Sequence, residues 1–499
     1  MDTKALRQKV LDLAIRGKLV PQDPNDEPAS VLLERIRQQK QQMVKEGKLK
    51  TKDIKNDTVI FVGEDNLHYE KFADGSVKCI EDEIPFELPE GWAWSRLKHI
   101  CTMAAGKAKP TAQIKAEPFE GSYPCFGGNG IRGYVNEYNY DGMFSIVGRQ
   151  GALCGNINIA SGKFYATEHA VVTTLFDGID FHWSNYTLEA LRLNEYATGA
   201  AQPGLSVANV LNVFVPIPPT YEQQQIGEKI SQSIKAIEAI EREKLDLQVV
   251  VSNVKAKILD LAIRGQLVPQ DPNDEPASVL LERIRAEKEE LIKRGKIKRD
   301  KKESVIFRGE DNSYYEKIGS MVVNIDSEIP FELPDNWKFV RLKEVWELIS
   351  GRDLAPSEYN ASGEGIPYIT GASNFTDGKV DLVRWTTSPQ VITNTGDLLL
   401  TCKGTIGEMA FNNFGSAHIA RQIMAIRNIF ALNSEYLAIC MSFYISTIKS
   451  VAKGLIPGIS REDVLNLILP IPSLNYQAKV VEQVGKMVSI LSVAEQSLS

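Results

Sequence analysis

Residues 11–37 read LDLAIRGKLVPQDPNDEPASVLLERIR and residues 259–285 read LDLAIRGQLVPQDPNDEPASVLLERIR, so the two copies differ only at Lys18 and Gln266. The echo continues with small shifts of register. Phe61-Val-Gly-Glu-Asp-Asn66 returns as Phe307-Arg-Gly-Glu-Asp-Asn312, and Glu83-Ile-Pro-Phe-Glu-Leu-Pro-Glu-Gly-Trp92 as Glu328-Ile-Pro-Phe-Glu-Leu-Pro-Asp-Asn-Trp337. A third echo closes each half: Gly204-Leu-Ser206, Val210-Leu-Asn212 and Pro216-Ile-Pro218 come back as Gly458-Ile-Ser460, Val464-Leu-Asn466 and Pro470-Ile-Pro472. Between the second and third echoes the halves align only in patches. A short period would mean a solenoid. A period of about half the chain means instead a duplicated domain pair with approximate two-fold symmetry, one frame carrying two different inserts.

Composition bounds the class. At ~150 residues per domain, 499 residues allow about three domains, and 43% apolar residues can bury real cores. No run reaches the ~18 apolar residues of a membrane span. The start, MDTKALRQK, is charged and lacks an apolar signal core. A cytoplasmic protein with no membrane partner is expected. The six cysteines show no C-x-x-C spacing and the five histidines are dispersed, which fits reduced structural thiols and no metal site. A net charge of −7 argues against a freestanding nucleic-acid binder, so any DNA contact must come from local patches or from partners.

Residues 3–16 pattern as a helix with Leu6, Val10 and Leu13 on one face and a stop at Arg16-Gly17. Pro21, Pro24 and Pro28 make a rigid turn, and Pro28 suits the start of a helix running to about Lys45. The lysine-rich runs 45–55 and 293–302 are most simply solvated helix ends, with a phosphate-contacting arm as the other reading. Residues 59–80 suggest a small hairpin turning at Asp74-Gly75. Both inserts, opened by Trp92 and Trp337, show short β-branched or aromatic runs broken by Gly, Asn and Pro, the texture of mixed α/β units with much exposed loop.

The heptad signal is the clearest local one. Ile226, Ile230, Ile237, Ile240, Leu247, Val251, Val254, Ile258 and Leu261 form a seam broken only at Ser233 and Lys244. Val480, Val484, Met487 and Leu491 repeat its first half near the C-terminus, and Leu6, Val10 and Leu13 correspond to Val254, Ile258 and Leu261. The repeat is therefore circularly permuted. The expected fold is α+β: two mixed α/β domains separated by two long antiparallel coiled-coil rods, the second rebuilt from the C-terminal and N-terminal helices, with Ser499 near Met1. The segments are an N-terminal helix (1–17), a proline/helix/hairpin segment (18–91), the first insert (92–219), a central long helix (220–265), the second proline/helix/hairpin copy (266–336), the second insert (337–473) and a C-terminal helix (474–499).

This order resembles the specificity subunit of Type I restriction-modification systems. The carriers are the Pro-Ile-Pro-then-helix junctions (216–223 and 470–477), the Leu-Ala-Ile-Arg-Gly-x-Leu-Val-Pro segments (13–21 and 261–269) and the Ile-Pro-x-x-Leu-Pro-x-x-Trp approaches to each insert. The long Asp-Glu-Pro-Ala-Ser-Val-Leu-Leu-Glu-Arg-Ile insertions resemble its IB branch. The resemblance implies that the inserts are target-recognition domains reading double-stranded DNA at an asymmetric bipartite site. It also implies that two methyltransferase subunits dock on the repeated frame, with restriction subunits added through them. S-adenosylmethionine, ATP and magnesium would belong to those partners, and this chain would hold no cofactor and catalyse nothing.

Arg pairs with guanine and Asn or Gln with adenine in the major groove, and Gly lets backbone approach DNA. On that chemistry the candidate contacts are Lys107, Lys109, Asn129, Arg132, Arg149 and Gln150 in the first insert. In the second they are Arg352, Thr370, Ser373, Asn374, Lys403, Arg421 and Gln422. Gln150-Gly151 and Lys403-Gly404 look like equivalent loops. For each residue a surface loop held by turn chemistry is the competing explanation. The G-x-G-x-x-G at 128–133 is a decoy, because a strand-like run follows where a dinucleotide site needs a helix. No G-x-x-x-x-G-K-[ST] and no amino-methyltransferase motif is present. The alternatives are a coiled-coil scaffold whose inserts bind protein, and a nuclease or methyltransferase with an unrecognised site.

Overall fold

The computed structural model describes residues 2–151, 153–198, 204–299, 303–376, 378–451 and 458–498. The chain divides into two compact units, Met1–Lys244 and Leu245–Ser499. The boundary falls inside one helix, Thr220–Ile263, whose 44 residues at ~1.5 Å each run about 66 Å.

Unit 1 opens with helix Thr3–Ile15, capped by Asp2, whose carboxylate accepts the Ala5 N–H at 3.0 Å. The helix stops at Gly17, where φ is +64° and an added Cβ would strike Pro89. Gly265 repeats the stop in unit 2 with φ +69° and Pro334 in the place of Pro89. Pro28 and Pro276 then stand at the N-caps of helices Ala29–Lys45 and Ala277–Lys293. Leu32 and Ile36 of the first are buried with Leu97 and Ile100, and Leu280 and Ile284 of the second with Leu342 and Val345.

The hairpin expected around residues 59–80 is a three-stranded antiparallel sheet, Val59–Val62, His68–Lys71 and Val77–Cys79. The turn at Asp74-Gly75 is there, with Gly75 at φ +88°, and Asn66 at φ +62° makes a second one. Unit 2 matches it with Ser304–Arg308, Tyr314–Ile318 and Met321–Asn324. Beneath each sheet sits a buried ionic network. Lys40 lies 2.5 Å from Asp57, and its counterpart Lys288 bridges Glu303 at 2.6 Å and Glu344 at 2.9 Å. Where unit 2 has Glu344, unit 1 has His99. The Ser304 N–H donates to Glu344 at 2.9 Å, and the Thr58 N–H donates to His99 Nε2 at 3.1 Å. Burial, and then the positive charges of Lys40, Lys98 and Arg96, hold the His99 imidazole well below its ordinary range.

Each insert starts and finishes on one two-stranded ladder. Ala93–Arg96 pairs antiparallel with Phe214–Ile217, setting Trp94 opposite Pro216. Lys338–Arg341 pairs likewise with Ile468–Ile471, setting Phe339 opposite Pro470. Inside the first insert a six-stranded sheet runs in the order Cys101–Ala105, Ala170–Leu175, Tyr140–Gly148, Ile157–Ala166, Tyr123–Gly127, Gly130–Val135, with one parallel contact between Tyr123–Gly127 and Ile157–Ala166. The second insert keeps this order in broken form. Glu347–Ser350, Ile423–Arg427, Leu398–Thr401 and Met409–Phe411 form one sheet, and Ile366–Ile369 lies parallel to Ala417–Ile419 in another. The two mixed α/β inserts thus share a topology that their sequences barely show.

Within each unit two helices pack antiparallel. In unit 1 Arg7 reaches Glu238 at 3.6 Å while Gln22 donates to Glu222 at 3.2 Å, and Leu11 and Ala14 join Ile226, Ile230 and Ile234 in the core. In unit 2 Lys255 meets Glu495 at 2.5 Å while the Tyr476 hydroxyl donates to the Val268 carbonyl at 2.6 Å. Ile258, Ala262, Val480 and Val484 are buried there, with Leu491 packed at the margin. The expected seam needs correction at several positions. Ile230, Ile237 and Val251 are buried and Ile240, Leu261, Val10 and Leu13 half-buried, but Leu6, Leu247 and Val254 are 37%, 50% and 40% exposed. The N-terminal helix also packs on helix Phe181–Ala190 of the insert, which turns its buried stripe from Leu6 to Leu11 and Ala14. The expected approach of Ser499 to Met1 concerns residues outside those described.

All six cysteines are free thiols and only Cys79 is exposed. Among the described residues no cluster of His, Cys, Asp and Glu could hold a metal, and no helix is long and apolar enough to cross a membrane.

Candidate nucleic-acid interface

Four loops meet at one end of the first insert's sheet. Lys107 follows Gly106, whose backbone is pressed so closely on Ala166 and Thr167 that no side chain fits. The turn Gly128-Asn129 joins strands Tyr123–Gly127 and Gly130–Val135. Gln150 is bridged to Gly204, and His169 ends the turn before Ala170–Leu175. Asn129, Arg132, Gln150, Leu153 and His169 surround an open cleft of about 530 Å³. The second and third G-x-G-x-x-G glycines, Gly130 and Gly133, lie inside strand Gly130–Val135, so no helix N-terminus is offered to a pyrophosphate.

The second insert rebuilds this end on different side chains. Gly351 is pressed on Ile419 and Ala420 as Gly106 is on Ala166 and Thr167, placing Arg352 where Lys107 stands. Lys403 is bridged to Gly458 as Gln150 is to Gly204. The Cys402 N–H donates to the Gln422 carbonyl at 2.8 Å, as the Arg149 N–H does to the His169 carbonyl at 3.0 Å. Arg149, half-exposed, thus has buried Cys402 as its counterpart, and burial pushes that thiol up.

Lys107, Asn129, Arg132 and Gln150 are exposed in the first insert, as are Arg352, Ser373, Lys403, Arg421 and Gln422 in the second. Several are tethered. Arg132 donates to the Thr111 hydroxyl at 2.7 Å, Asn129 accepts from Asn156 at 3.2 Å, Arg352 donates to Gln390 at 3.4 Å, and Arg421 pairs with Asp353 at 2.7 Å. Three candidates are withdrawn from the surface. Lys109 is paired with Glu137 at 2.5 Å over the Tyr165 ring, its side chain only 9% exposed. Asn374 is buried; its side-chain oxygen accepts from the Thr370 N–H and hydroxyl, both at 3.0 Å, and its nitrogen donates to the Asp381 carbonyl. Thr370 shares that fate, its hydroxyl spent on the same turn. His169 escaped the sequence reading. Its signal lay in Thr167-Glu-His-Ala170 and Ala420-Arg-Gln-Ile423, each leading into an apolar strand, which alignment from the strand backwards would have matched.

The family profile of the Type I restriction modification DNA specificity domain matches this chain twice, over residues 89–248 and 334–495. The chain belongs to that family. Each specificity domain so defined contains one insert, its closing two-stranded ladder and the helix that follows. The EcoAI specificity subunit of Escherichia coli is 29% identical over 422 residues, covering 70% of this chain and 63% of that subunit. The EcoprrI specificity subunit is 45% identical over 153 residues, and the chain spans 36% of its length. With the EcoEI specificity subunit the match is 25% identity across 96% of this chain and 88% of the relative. A chain solved in a study of complex assembly and conformational transition of the type I R-M system shares the fold, with a TM-score of 0.53 at 17% identity over 83% of this chain and 94% of that one.

Proposed function

We propose that this specificity-family chain reads an asymmetric bipartite DNA site, one insert to each half-site, and docks methyltransferase subunits and through them restriction subunits. The observation that carries the reading is the pair of equivalent four-loop surfaces, built on one backbone plan with different exposed side chains: Lys107, Asn129 and Gln150 against Arg352, Ser373 and Lys403. Two dissimilar readers on a repeated frame call for two dissimilar half-sites. The circular permutation belongs to the same reading, the N-terminal helix giving unit 1 what the second half of the central helix gives unit 2. The antiparallel helix pair in each unit supports the coiled-coil frame, and the long Asp-Glu-Pro-Ala-Ser segments support the IB branch.

Docking of two copies of one partner is supported by the outward faces of the three-stranded sheets. Side chains alternate along a strand. On that register Val59, Phe61, Tyr69, Lys71 and Val77 share one face, and their partners are Val305, Phe307, Tyr315, Lys317 and Val322. Phe61 stacks on Tyr69 at 5.8 Å and Phe307 on Tyr315 at 5.9 Å. On the opposite faces the buried Glu70 and its counterpart Glu316 are kept for the ion pair with arginine, while Val62 becomes Arg308 and Lys78 becomes Val323. In this reading the chain acts in the cytoplasm, holds no cofactor and catalyses nothing; S-adenosylmethionine, ATP and magnesium are used by its partners.

Exchange of residues 92–219 for the insert of a relative, followed by single-molecule mapping of methylated adenines, tests this. One half of the methylated sequence should change while the other persists. An unchanged site would leave the protein-binding scaffold as the better account.

A further inference from the structure

The equivalent ends of the two inserts share more than loop positions, for the same hydrogen bonds recur donor by donor. In the first insert Gly106 N–H donates to Ala170 O at 3.0 Å, Lys107 N–H to Ala166 O at 3.0 Å, Thr167 N–H to Phe126 O at 3.0 Å and Leu205 N–H to Arg149 O at 2.9 Å. In the second, Gly351 donates to Ile423 at 3.1 Å, Arg352 to Ile419 at 2.9 Å, Ala420 to Ile369 at 2.9 Å and Ile459 to Cys402 at 2.8 Å. This net superposes Thr167-Glu168-His169 on Ala420-Arg421-Gln422. The carbonyls of His169 and Gln422 are both spent on pinning the neighbouring loop, so the backbone of that turn is fixed whatever its side chain.

The side chains are what the frame leaves free. The His169 side chain is 40% exposed and lines the cleft beside Gly128, Asn129 and Gln150, with the Glu168 carboxylate 3.5 Å from its Nε2. Gln422 is exposed, and its amide oxygen fills the space over buried Gly371, the counterpart of Gly128, where any larger residue would displace it. Its neighbour Arg421 is occupied by Asp353. Glycine beside each side chain leaves that side chain room to take its place at the loop surface. Fixed backbone, a variable polar side chain at the surface and a glycine that makes room for it together describe a position that selects a base.

Resting on the DNA-reading function above, we propose that His169 and Gln422 are paired specificity-determining residues, each discriminating one base pair in its own half-site. Gln422 offers the donor and acceptor that fit adenine N7 and N6, whereas the imidazole of His169 offers a single ring N–H to a purine acceptor.

The test uses the complete methyltransferase complex containing this chain. Its probe is a fluorescein-labelled duplex carrying the complex's own methylated sequence, with a panel in which each base pair is changed in turn. For His169→Ala the discrimination at one base pair of one half-site should fall by about five- to a hundredfold, with the other half-site untouched. His169→Gln should install a preference for adenine at that pair, and Gln422→Ala should act only in the opposite half. Wild-type profiles for these variants, or affinity lost equally on every duplex, would overturn the proposal. If the wild-type complex itself does not separate its own duplex from a scrambled one, the DNA-reading function fails instead.

Discussion

Arg96 grips Glu70 with two parallel hydrogen bonds, Nε to Oε1 at 2.9 Å and Nη2 to Oε2 at 2.6 Å, the carboxylate side chain being only 3% exposed. A third bond from Arg96 Nη1 to the Asn212 carbonyl at 2.6 Å ties the small sheet to the end of the insert. Arg341 repeats the grip on Glu316, with Nη2 to Oε2 at 2.7 Å, and reaches Asn466 in the same way. Removing one member of a buried pair strands the other charge at about 3–5 kcal/mol. Glu70→Gln should therefore destabilise unit 1 by that order and leave unit 2 alone, with Glu316→Gln doing the reverse. Hydrogen exchange of the two sheets in urea reads this directly.

His99 makes the units respond differently to acid. Folded, its imidazole stays neutral far below the ordinary value of 6.5, while in the unfolded chain it takes a proton near 6.5. Its contribution is complete above pH 6.5 and is lost as the pH falls from there towards the depressed folded value. Burial raises the Glu70 carboxyl, but hydrogen bonds from Arg96 and Thr58 outweigh that and bring it below 4.5, so its own loss begins only under that pH. Unit 1 should accordingly weaken between pH 6.5 and 4.5 in thermal melts, and His99→Gln, which keeps an acceptor for the Thr58 N–H, should flatten that slope. An unaltered slope in the variant would refute the assignment.

Charge in the helix pair should depend on position rather than on heptad letter. Ile258 is 8% exposed and packs within the unit 2 core, so Ile258→Asp should cost several kcal/mol, on the order of burying an unpaired carboxylate. Val254, one turn earlier and 40% exposed, should tolerate aspartate within about 0.5 kcal/mol in the isolated chain. Urea midpoints of the two variants decide it; equal losses would mean that the exposed stripe is covered.

The frame was legible because it is written twice: the helix stops at Gly17 and Gly265, the turns at Asn66 and Asn312, and the closing strands at Pro216 and Pro470 all follow from the repeat. The seam was read only in part. Heptad spacing records that a helix is amphipathic, but the N-terminal helix leans on two neighbours and buries Leu11 and Ala14 between them. The inserts resisted because strands such as Trp385–Thr386 and Ile392–Thr393 are two residues long and carry no period. Polar residues in such loops look alike in sequence. Asn374 spends its amide inside a turn and Lys109 its charge on Glu137, while His169, isolated among apolar strands, drew no attention.

Trp94 opposite Pro216 and Phe339 opposite Pro470 mean that each insert departs from and returns to adjoining atoms. A lineage can therefore trade one whole cassette for another of unrelated length, and the doorway it passes through keeps its shape. Novelty can arrive by recombination at that threshold, without the rest of the polypeptide having to evolve again.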